Sequence, residues 1–269
     1  MSGFYKNIGG MVRPTTKDEL KNEIKIRIDR GQTNLNDIDT SRITDMSNLF
    51  YNYSCKDIDV SLWDVHNVRN MSFMFYACYD FNCDLSGWNV SNVERMDYMF
   101  RSCKKFNSDL SCWDVSKVED MHNMFCNCPS FNSDISNWDV SNVRDMNCMF
   151  FSCYIFNSDL SRWDVSNVQN MKTMFFNCTD FNSDLSNWNV SNVKNMNSMF
   201  SHCDNFNSDL SRWNVHKVED MECMFYKCPK FNSDLSKWNV SNVGNMNSMF
   251  ARNTNLKVYP EWYLQKCTH

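Results

Sequence analysis

The 269-residue sequence contains little of the two residues that interrupt regular structure, with 6 glycines and 4 prolines. It therefore lacks the Gly-, Pro- and Ser-rich stretches that mark flexible linkers and domain boundaries. No apolar run approaches the roughly 18 residues needed to cross a bilayer, so we expect no membrane span. Residues 1–10 lack the apolar core of a secretory signal peptide, so we expect a cytoplasmic protein.

The composition also disfavours nucleic-acid binding and catalysis. The formal net charge of -5 predicts an acidic surface that repels phosphate backbones. No glycine-rich phosphate-binding loop occurs. The histidines that could serve as catalytic bases lie in unrelated registers of the sequence: His66, His122, His202, His216 and His269. Because no Ser-His-Asp arrangement can be assembled from them, we expect no enzyme and no cofactor.

A 25-residue repeat is the dominant feature of the sequence. Tryptophans recur at this step without insertion or deletion: Trp63, Trp88, Trp113, Trp138, Trp163, Trp188, Trp213 and Trp238. A methionine column keeps the same step: Met46, Met71, Met96, Met121, Met146, Met171, Met196, Met221 and Met246. The constant spacing predicts about nine coils of equal length, of which the first is partial. One coil cannot bury its apolar side alone, so neighbouring coils must stack.

The pattern within one repeat predicts a helix followed by a strand. Ser91 and Glu94 fit a capping box at the start of the helix. Residues 110–115 alternate in polarity and predict a short strand that pairs in parallel with the next coil. We therefore predict an α/β, leucine-rich-repeat-like solenoid in which each coil combines a short helix with a short parallel strand. The residues that fit one helical face are Val93, Met96, Met99, Phe100 and Cys103.

Both ends of the predicted stack need caps, because the terminal coils would otherwise expose their apolar faces. Residues 1–37 form the predicted N-terminal cap. It contains an amphipathic helix over residues 16–30, with Thr16 and Glu19 as a capping box. The repeats occupy residues 38–253. Residues 254–269 form the predicted C-terminal cap, whose aromatic side chains can cover the last coil.

The motif FNSDLSNWNVSNVKNMNSMFSHC, at residues 181–203, resembles the 25-residue repeats of BspA-like surface proteins and of mycoplasma lipoproteins. It is also similar to arrays found in large DNA viruses and protists. Residues 19–50 resemble the leader of such arrays. The resemblance implies a leucine-rich-repeat-like solenoid for adhesion or protein binding, without catalytic residues. Without a recognisable signal peptide, lipobox or wall anchor, the chain resembles the non-secreted viral members, which implies a location in a virion or the host cytoplasm.

Three constant columns fit either functional sites or structural ladders. The cysteine column, from Cys78 to Cys228, fits disulfides between coils or small buried side chains, and we favour reduced, buried thiols. The asparagine column, from Asn82 to Asn232, fits hydrogen bonding to backbone groups. The aspartate column, from Asp59 to Asp234, fits acceptors for backbone N–H groups or a row of calcium sites. We favour the acceptors and predict no metal site.

Two variable columns are expected to face solvent. The residue before each tryptophan varies, and Arg162, Arg212 and Lys237 predict a mildly basic strip toward the C-terminal half. This strip would lie on the face of the predicted parallel sheet.

The residue after each Met-Phe pair also varies along the chain. Phe151 and Phe176, with Tyr154 nearby, predict an exposed aromatic patch of the kind that binds proteins. We therefore predict a non-catalytic repeat scaffold that binds a protein partner. The alternatives are a structural or assembly protein that self-associates end to end, and a cell-surface adhesin.

Overall fold

A computed structural model describes residues 11–54 and 56–266. Two helices occur in this part of the chain, α1 at Lys17–Asp29 and α2 at Glu261–Lys266. Between them, the 25-residue repeats form coils that lie side by side, and isolated parallel bridges join each coil to the next. Among the described residues, eight of the bridges run in one column, from Asp45↔Asn70 to Asp220↔Asn245, and two others join Val12 to Ile38 and Asn34 to Asp59.

The predicted helix-plus-strand solenoid is wrong, although the tandem repeats are present. No helix forms at residues 93–103 and no strand forms at residues 110–115. Ser91 is not a helix cap, because its own N–H donates to the Asn89 side chain. The half of each repeat that was predicted as a strand is built from tight turns. In one of these turns, the backbone N–H of Trp113 donates to the Leu110 carbonyl at 3.1 Å.

Backbone pairing between coils occurs instead in the half that was predicted as a helix. Every second backbone N–H group of a coil donates to a carbonyl of the next coil. Between the second and third coils, the N···O distances are 2.8 to 2.9 Å. The intervening N–H groups close turns within their own coil, as from Met74 to Met71. We call this arrangement the turn ladder. The four donors that reach across from the second coil are Met71, Phe73, Phe75 and Ala77.

Left-handed residues explain why the turn ladder replaces a helix. In the third coil, Tyr98 has φ 59° and Ser102 has φ 65°, and the same two positions have positive φ in the other coils. An α-helix needs φ near −63° throughout, so two left-handed residues break it. Each costs on the order of 1–2 kcal/mol for a non-glycine residue, and the bonds between coils offset this. Asparagine tolerates this region and occupies several of these positions: Asn48, Asn52, Asn123, Asn127 and Asn177.

Rows of aromatic rings form the core along the length of the stack. From Trp88 to Trp238, successive indole rings are stacked, with centroids 6.3 to 6.5 Å apart. Each indole N–H donates to a carbonyl of the preceding coil, as Trp113 Nε1 does to Leu85 at 3.0 Å. A second row, from Phe50 to Phe250, stacks beside it. These contacts satisfy both requirements of burial, apolar packing and paired polar groups.

The predicted N-terminal helix is confirmed as α1. Thr16 caps it by accepting the Glu19 N–H, and Leu20 and Ile24 are fully buried against the first coil. The Glu19 carboxylate reaches back one residue further than a capping box requires, to the Thr15 N–H. Because α1 fills the apolar face of the first coil, it closes this end of the stack.

Helix α2 covers part of the last coil. Trp262 extends the indole row, with its ring centroid 6.4 Å from that of Trp238. Its Nε1 donates to the Leu235 carbonyl at 2.9 Å, as the repeat tryptophans do. Lys266 donates to the carbonyls of Val240 and Val243. The predicted capping segments also include residues 1–10 and 267–269, which lie outside the described residues.

We expect Trp138→Phe to lower the free energy of unfolding by about 1–3 kcal/mol, because the smaller ring leaves space in the core and the Leu110 carbonyl keeps only the Trp113 backbone N–H as a donor. Guanidinium unfolding followed by circular dichroism measures this. The matched control is Asn137→Arg, an exposed position where other coils carry arginine, with an expected change within about 0.5 kcal/mol. Equal losses in the two variants would contradict a specific role for the indole bond.

Candidate functional site

The cysteine column is structural. The Cys103 thiol is fully buried and donates to the Phe75 carbonyl at 3.0 Å, and the same bond recurs along the column. Burial raises the pKa of Cys228 to about 12, so this thiol is neutral at physiological pH. In this column, Cys128, Cys153, Cys178, Cys203 and Cys228 form no disulfide. The preferred prediction of small buried thiols is therefore confirmed.

Of the cysteines that the structure describes, we expect iodoacetamide to modify the exposed Cys112 first in the folded protein. Buried Cys153 and Cys178 should react on the order of 100-fold more slowly, because burial raises the pKa of both thiols and access requires local opening. Peptide mapping by mass spectrometry after timed labelling gives the rates, and labelling in guanidinium provides the fully reactive control. Comparable rates for Cys112 and Cys153 in the native protein would show that the column is accessible.

The asparagine column joins neighbouring coils through the backbone, as predicted. The side-chain carbonyl of Asn82 accepts the Asn107 N–H at 2.8 Å, and Asn107 accepts the Asn132 N–H in the same way. The pattern continues to Asn232. Each asparagine thus pairs a backbone donor that the tight turns leave open.

The aspartate column supports tight turns. The Asp134 carboxylate accepts the N–H of Ser136 at 2.9 Å. This bond, and then one with the Ser136 hydroxyl, lower the pKa of Asp134. The preferred prediction, acceptors for backbone N–H groups, is therefore confirmed. Within residues 11–54 and 56–266, no group of three or more metal-ligating side chains is close enough to hold an ion.

We expect the quadruple variant Asp134→Asn, Asp159→Asn, Asp184→Asn and Asp209→Asn to lose less stability than the parent protein when the pH falls. The folded carboxylates have lowered pKa values, so their contribution is present above about pH 4, the unfolded pKa. It is lost as the pH falls through the folded values. Asparagine keeps the turn, as Asn89 does with Ser91. Circular dichroism from pH 5 to 2 measures this.

Calcium provides a control for the aspartate prediction. Added calcium should leave the melting temperature of both proteins unchanged. A calcium-dependent rise in the parent protein that is absent in the quadruple variant would instead support the calcium alternative.

The three basic residues before the tryptophans are exposed, but they lie in turns rather than on a sheet. Arg212 and Lys237 line a groove of about 750 Å³ together with Asp209 and Asp234. Arg162 does not line this groove. The pKa of Asp209 is lowered first by the Ser211 N–H, and Arg212 adds to the effect. The groove therefore carries charges of both signs.

Two of the three residues in the predicted aromatic patch contact each other. The rings of Phe151 and Phe176 are half-buried and stacked, with centroids 4.7 Å apart and planes at 4°. Tyr154 is 42% exposed. Among the described residues, no ring contact joins Tyr154 to either phenylalanine. The patch is thus a stacked pair with a separate exposed tyrosine nearby in the sequence.

The stacked pair belongs to a longer set of rings along one side of the stack, which we call the lateral face. The Phe176 ring lies 5.3 Å from that of His202, which lies 5.3 Å from that of Tyr226. The Arg252 guanidinium lies over the Tyr226 ring at 5.7 Å. The C-terminal aromatic row of this face therefore comprises Phe151, Phe176, His202 and Tyr226.

A second group of rings, which was not predicted from the sequence, lies on the same face nearer the N-terminus. Tyr51 stacks on Tyr76 with centroids 4.8 Å apart, and Phe73 stacks on Tyr98 at 4.4 Å. Phe73 also contacts Tyr76 at 5.8 Å, and Arg101 lies over Tyr98 at 5.5 Å. These four rings form the N-terminal aromatic cluster: Tyr51, Phe73, Tyr76 and Tyr98.

The signal for the N-terminal aromatic cluster lay in two columns rather than one. Tyr51 and Tyr76 share the variable column of Phe151, whereas Phe73 and Tyr98 lie three residues before that column. In the turn ladder, this earlier position of one coil lies beside the later position of the preceding coil, as the contact between Tyr51 and Phe73 shows. A single-column search cannot find such pairs.

Neither α1 nor α2, the helices of the described residues, has the length and apolarity needed to span a bilayer. The sequence model of a protein family, described as "Mycoplasma protein of unknown function, DUF285", matches residues 22–125, 109–194 and 158–262. The mycoplasma part of the predicted resemblance is thereby confirmed. No curated protein matches the chain.

Two solved structures show weak similarity to the chain. The plant peptide hormone receptor RGFR1 in complex with RGF2 is 10% identical with a TM-score of 0.24, over 72% of this chain and 42% of that one. The functional domain of InlJ from Listeria monocytogenes, which includes a cysteine ladder, is 12% identical with a TM-score of 0.18. That alignment covers 85% of this chain and 60% of InlJ. The chain thus spans less than two thirds of either structure.

Proposed function

The chain belongs to the DUF285 family, and we propose that this member is a non-catalytic repeat scaffold that binds another protein through its lateral face. The observation that carries the proposal is the N-terminal aromatic cluster. Its four rings are at least partly exposed, and Tyr51 is 46% exposed. Tyrosine and arginine are the residue types that most often dominate the binding energy of protein interfaces.

Rigidity of the lateral face supports the same proposal. Every ring of the N-terminal aromatic cluster stacks on a ring of the adjacent coil. The backbone under these rings is fixed by the turn ladder, in which Phe73 donates to the next coil at 2.9 Å. A surface whose side chains are already ordered loses little conformational entropy when a partner binds. The cluster and the C-terminal aromatic row would give one elongated partner two contact regions.

The aspartates of the repeats have nearly the same surroundings, and this supports a function without catalysis. Acid–base catalysis needs two groups in different environments. Each carboxylate of the aspartate column accepts the backbone N–H of the serine two residues later in the sequence, as Asp134 and Asp159 do. Their environments are therefore nearly the same. The absence of enzymatic activity is therefore part of the proposal.

Other functions predicted from the sequence have less support in the fold. Self-association end to end is opposed by α1, which covers the first coil with the buried Leu20 and Ile24. Kinship with BspA-like adhesins or viral arrays stays a prediction, as does a cytoplasmic or virion location. Cell fractionation would test the location.

We expect the double variant Phe73→Asn and Tyr98→Asn to lose binding of its protein partner by at least about tenfold, equivalent to 1.4 kcal/mol. Asn48 and Asn123 occupy the same column with positive φ, so asparagine preserves the backbone. Quantitative pull-down from lysate, followed by titration of the purified binder, measures the loss.

Two further variants keep this test specific. Phe151→Ser with Phe176→Ser removes the stacked pair of the C-terminal aromatic row, and serine occurs in that column as Ser201. Arg162→Asn changes a distant exposed position where another coil carries Asn187, and it should bind normally. Undiminished binding by both aromatic double variants would disprove the lateral-face proposal. Light scattering on the same samples should give a monomer, and a concentration-dependent oligomer would favour the assembly alternative.

A further inference from the structure

Three basic residues follow one another in a single column at the C-terminal end of the lateral face. They are His202, Lys227 and Arg252, which lie one repeat apart and share positive φ. The turn ladder places them in adjacent coils, where the His202 N–H donates to the Tyr226 carbonyl at 2.9 Å. Lys227 and Arg252 are exposed, and His202 is half-buried. We call these three residues the basic column. In the earlier coils the same column is uncharged, so its positive charge is confined to this end of the face.

The basic column borders the C-terminal aromatic row. The His202 ring contacts the rings of Phe176 and Tyr226, with centroids 5.3 Å from each. The Arg252 guanidinium lies over the Tyr226 ring at 5.7 Å. Among the described residues, no carboxylate forms an ion pair with Lys227 or Arg252. Two exposed cations therefore lie beside apolar ring surface without an anionic partner.

The acidic residues of the adjacent coils do not neutralise the basic column. The carboxylates of Asp220 and Glu222 accept N–H groups of the Asn197 side chain at 3.0 and 3.2 Å. The exposed Asp204 acts on His202 through its charge. This single negative charge is outnumbered by the two exposed cations of the column. The C-terminal end of the lateral face is therefore positive on balance.

We propose that the basic column and the C-terminal aromatic row together bind an acidic segment of the protein partner. Carboxylates of the segment pair with Lys227 and Arg252, and its apolar side chains pack on Phe176 and Tyr226. Hydrogen bonds between ionised donors and carboxylates are about twice as strong as neutral ones. The inference rests on the proposed function of the lateral face and adds the chemistry of the partner.

His202 gives this site a pH dependence whose sign can be worked out. Burial and then Lys227 lower the pKa of His202, Asp204 opposes them, and Arg252 lowers it further. A carboxylate bound at the basic column favours the charged imidazolium and raises this pKa. Because the bound state then takes up protons, the acidic segment binds more tightly as the pH falls through the bound-state pKa toward that of the free protein.

The first test titrates the full chain with a synthetic ten-residue peptide of alternating glutamate and leucine. Lys227→Asn with Arg252→Asn should weaken binding at least about tenfold. Asparagine preserves the backbone, because Asn127 and Asn177 have positive φ in the same column. A peptide with glutamine in place of each glutamate should lose affinity to a similar extent. Absence of binding by the glutamate peptide, or equal binding of the two peptides, would overturn the proposal.

A matched double variant controls for the loss of two positive charges. Arg212→Asn with Lys237→Asn removes one arginine and one lysine from exposed positions before the tryptophans, where Asn187 occurs in another coil. Its affinity for the glutamate peptide should change less than about twofold. Equal weakening in both double variants would overturn the proposal. Tighter binding of a ten-nucleotide oligothymidylate than of the peptide would also overturn it and would favour a nucleic acid.

The second test follows the histidines by NMR from pH 8 to 5.5, where the peptide glutamates stay largely ionised because their pKa is about 4.3. Saturating peptide should raise the pKa of His202 and leave that of His122, near the other end of the face, unchanged. Peptide binding should tighten about threefold or more over this range in the parent protein. It should vary much less in His202→Asn. A His202 pKa that stays constant or falls with peptide would overturn the proposal.

The outcomes separate this inference from the proposed function of the lateral face. Loss of partner binding in the aromatic double variants, together with no peptide binding, would retain the lateral face and reject the acidic segment. Peptide binding at the basic column, together with undiminished partner binding by both aromatic double variants, would reject the lateral face as the site of that partner.

Discussion

The turn ladder is the interaction on which the rest of the structure depends. Alternate N–H groups bond to the next coil, and the groups between them close turns within their own coil. The backbone thereby satisfies its donors without a helix or a regular strand. Because each ladder bond joins positions one repeat apart, every coil must have the same length. An insertion in one coil would shift all later partners, which accounts for the gapless 25-residue step.

Side-chain hydrogen bonds also join neighbouring coils. The indole of Trp113, the thiol of Cys103 and the amide carbonyl of Asn82 each bond to backbone groups of a neighbouring coil. Substitution of Asn82 would leave the Asn107 N–H unpaired, whereas substitution of Trp113 or Cys103 would remove one of two donors from a buried carbonyl. Side chains that point away from these contacts are free to vary. The lateral face is the result, and one of its columns carries Arg101 and Cys126 between pairs of aromatic residues.

The proposed binding surface on the lateral face follows from the regularity of the stack. The lateral face presents side chains that the turn ladder holds in fixed positions, as with the stacked rings of Phe73 and Tyr98. A repeat protein can therefore carry a binding surface without a dedicated domain.

The sequence by itself determined the 25-residue period, the buried columns, helix α1 and the structural roles of the cysteine and asparagine columns. Each of these depends on spacing and side-chain chemistry, and both can be recognised in the sequence because they recur in every repeat. Only the tertiary structure decided between helix and turn ladder. The spacing from Val93 to Cys103 fits both, since turns of three residues also direct these side chains inward. Bonds between coils, and the left-handed residues they stabilise, favour the ladder. The cluster of Phe73 and Tyr98 was hidden for the same reason, because its neighbours come from different coils.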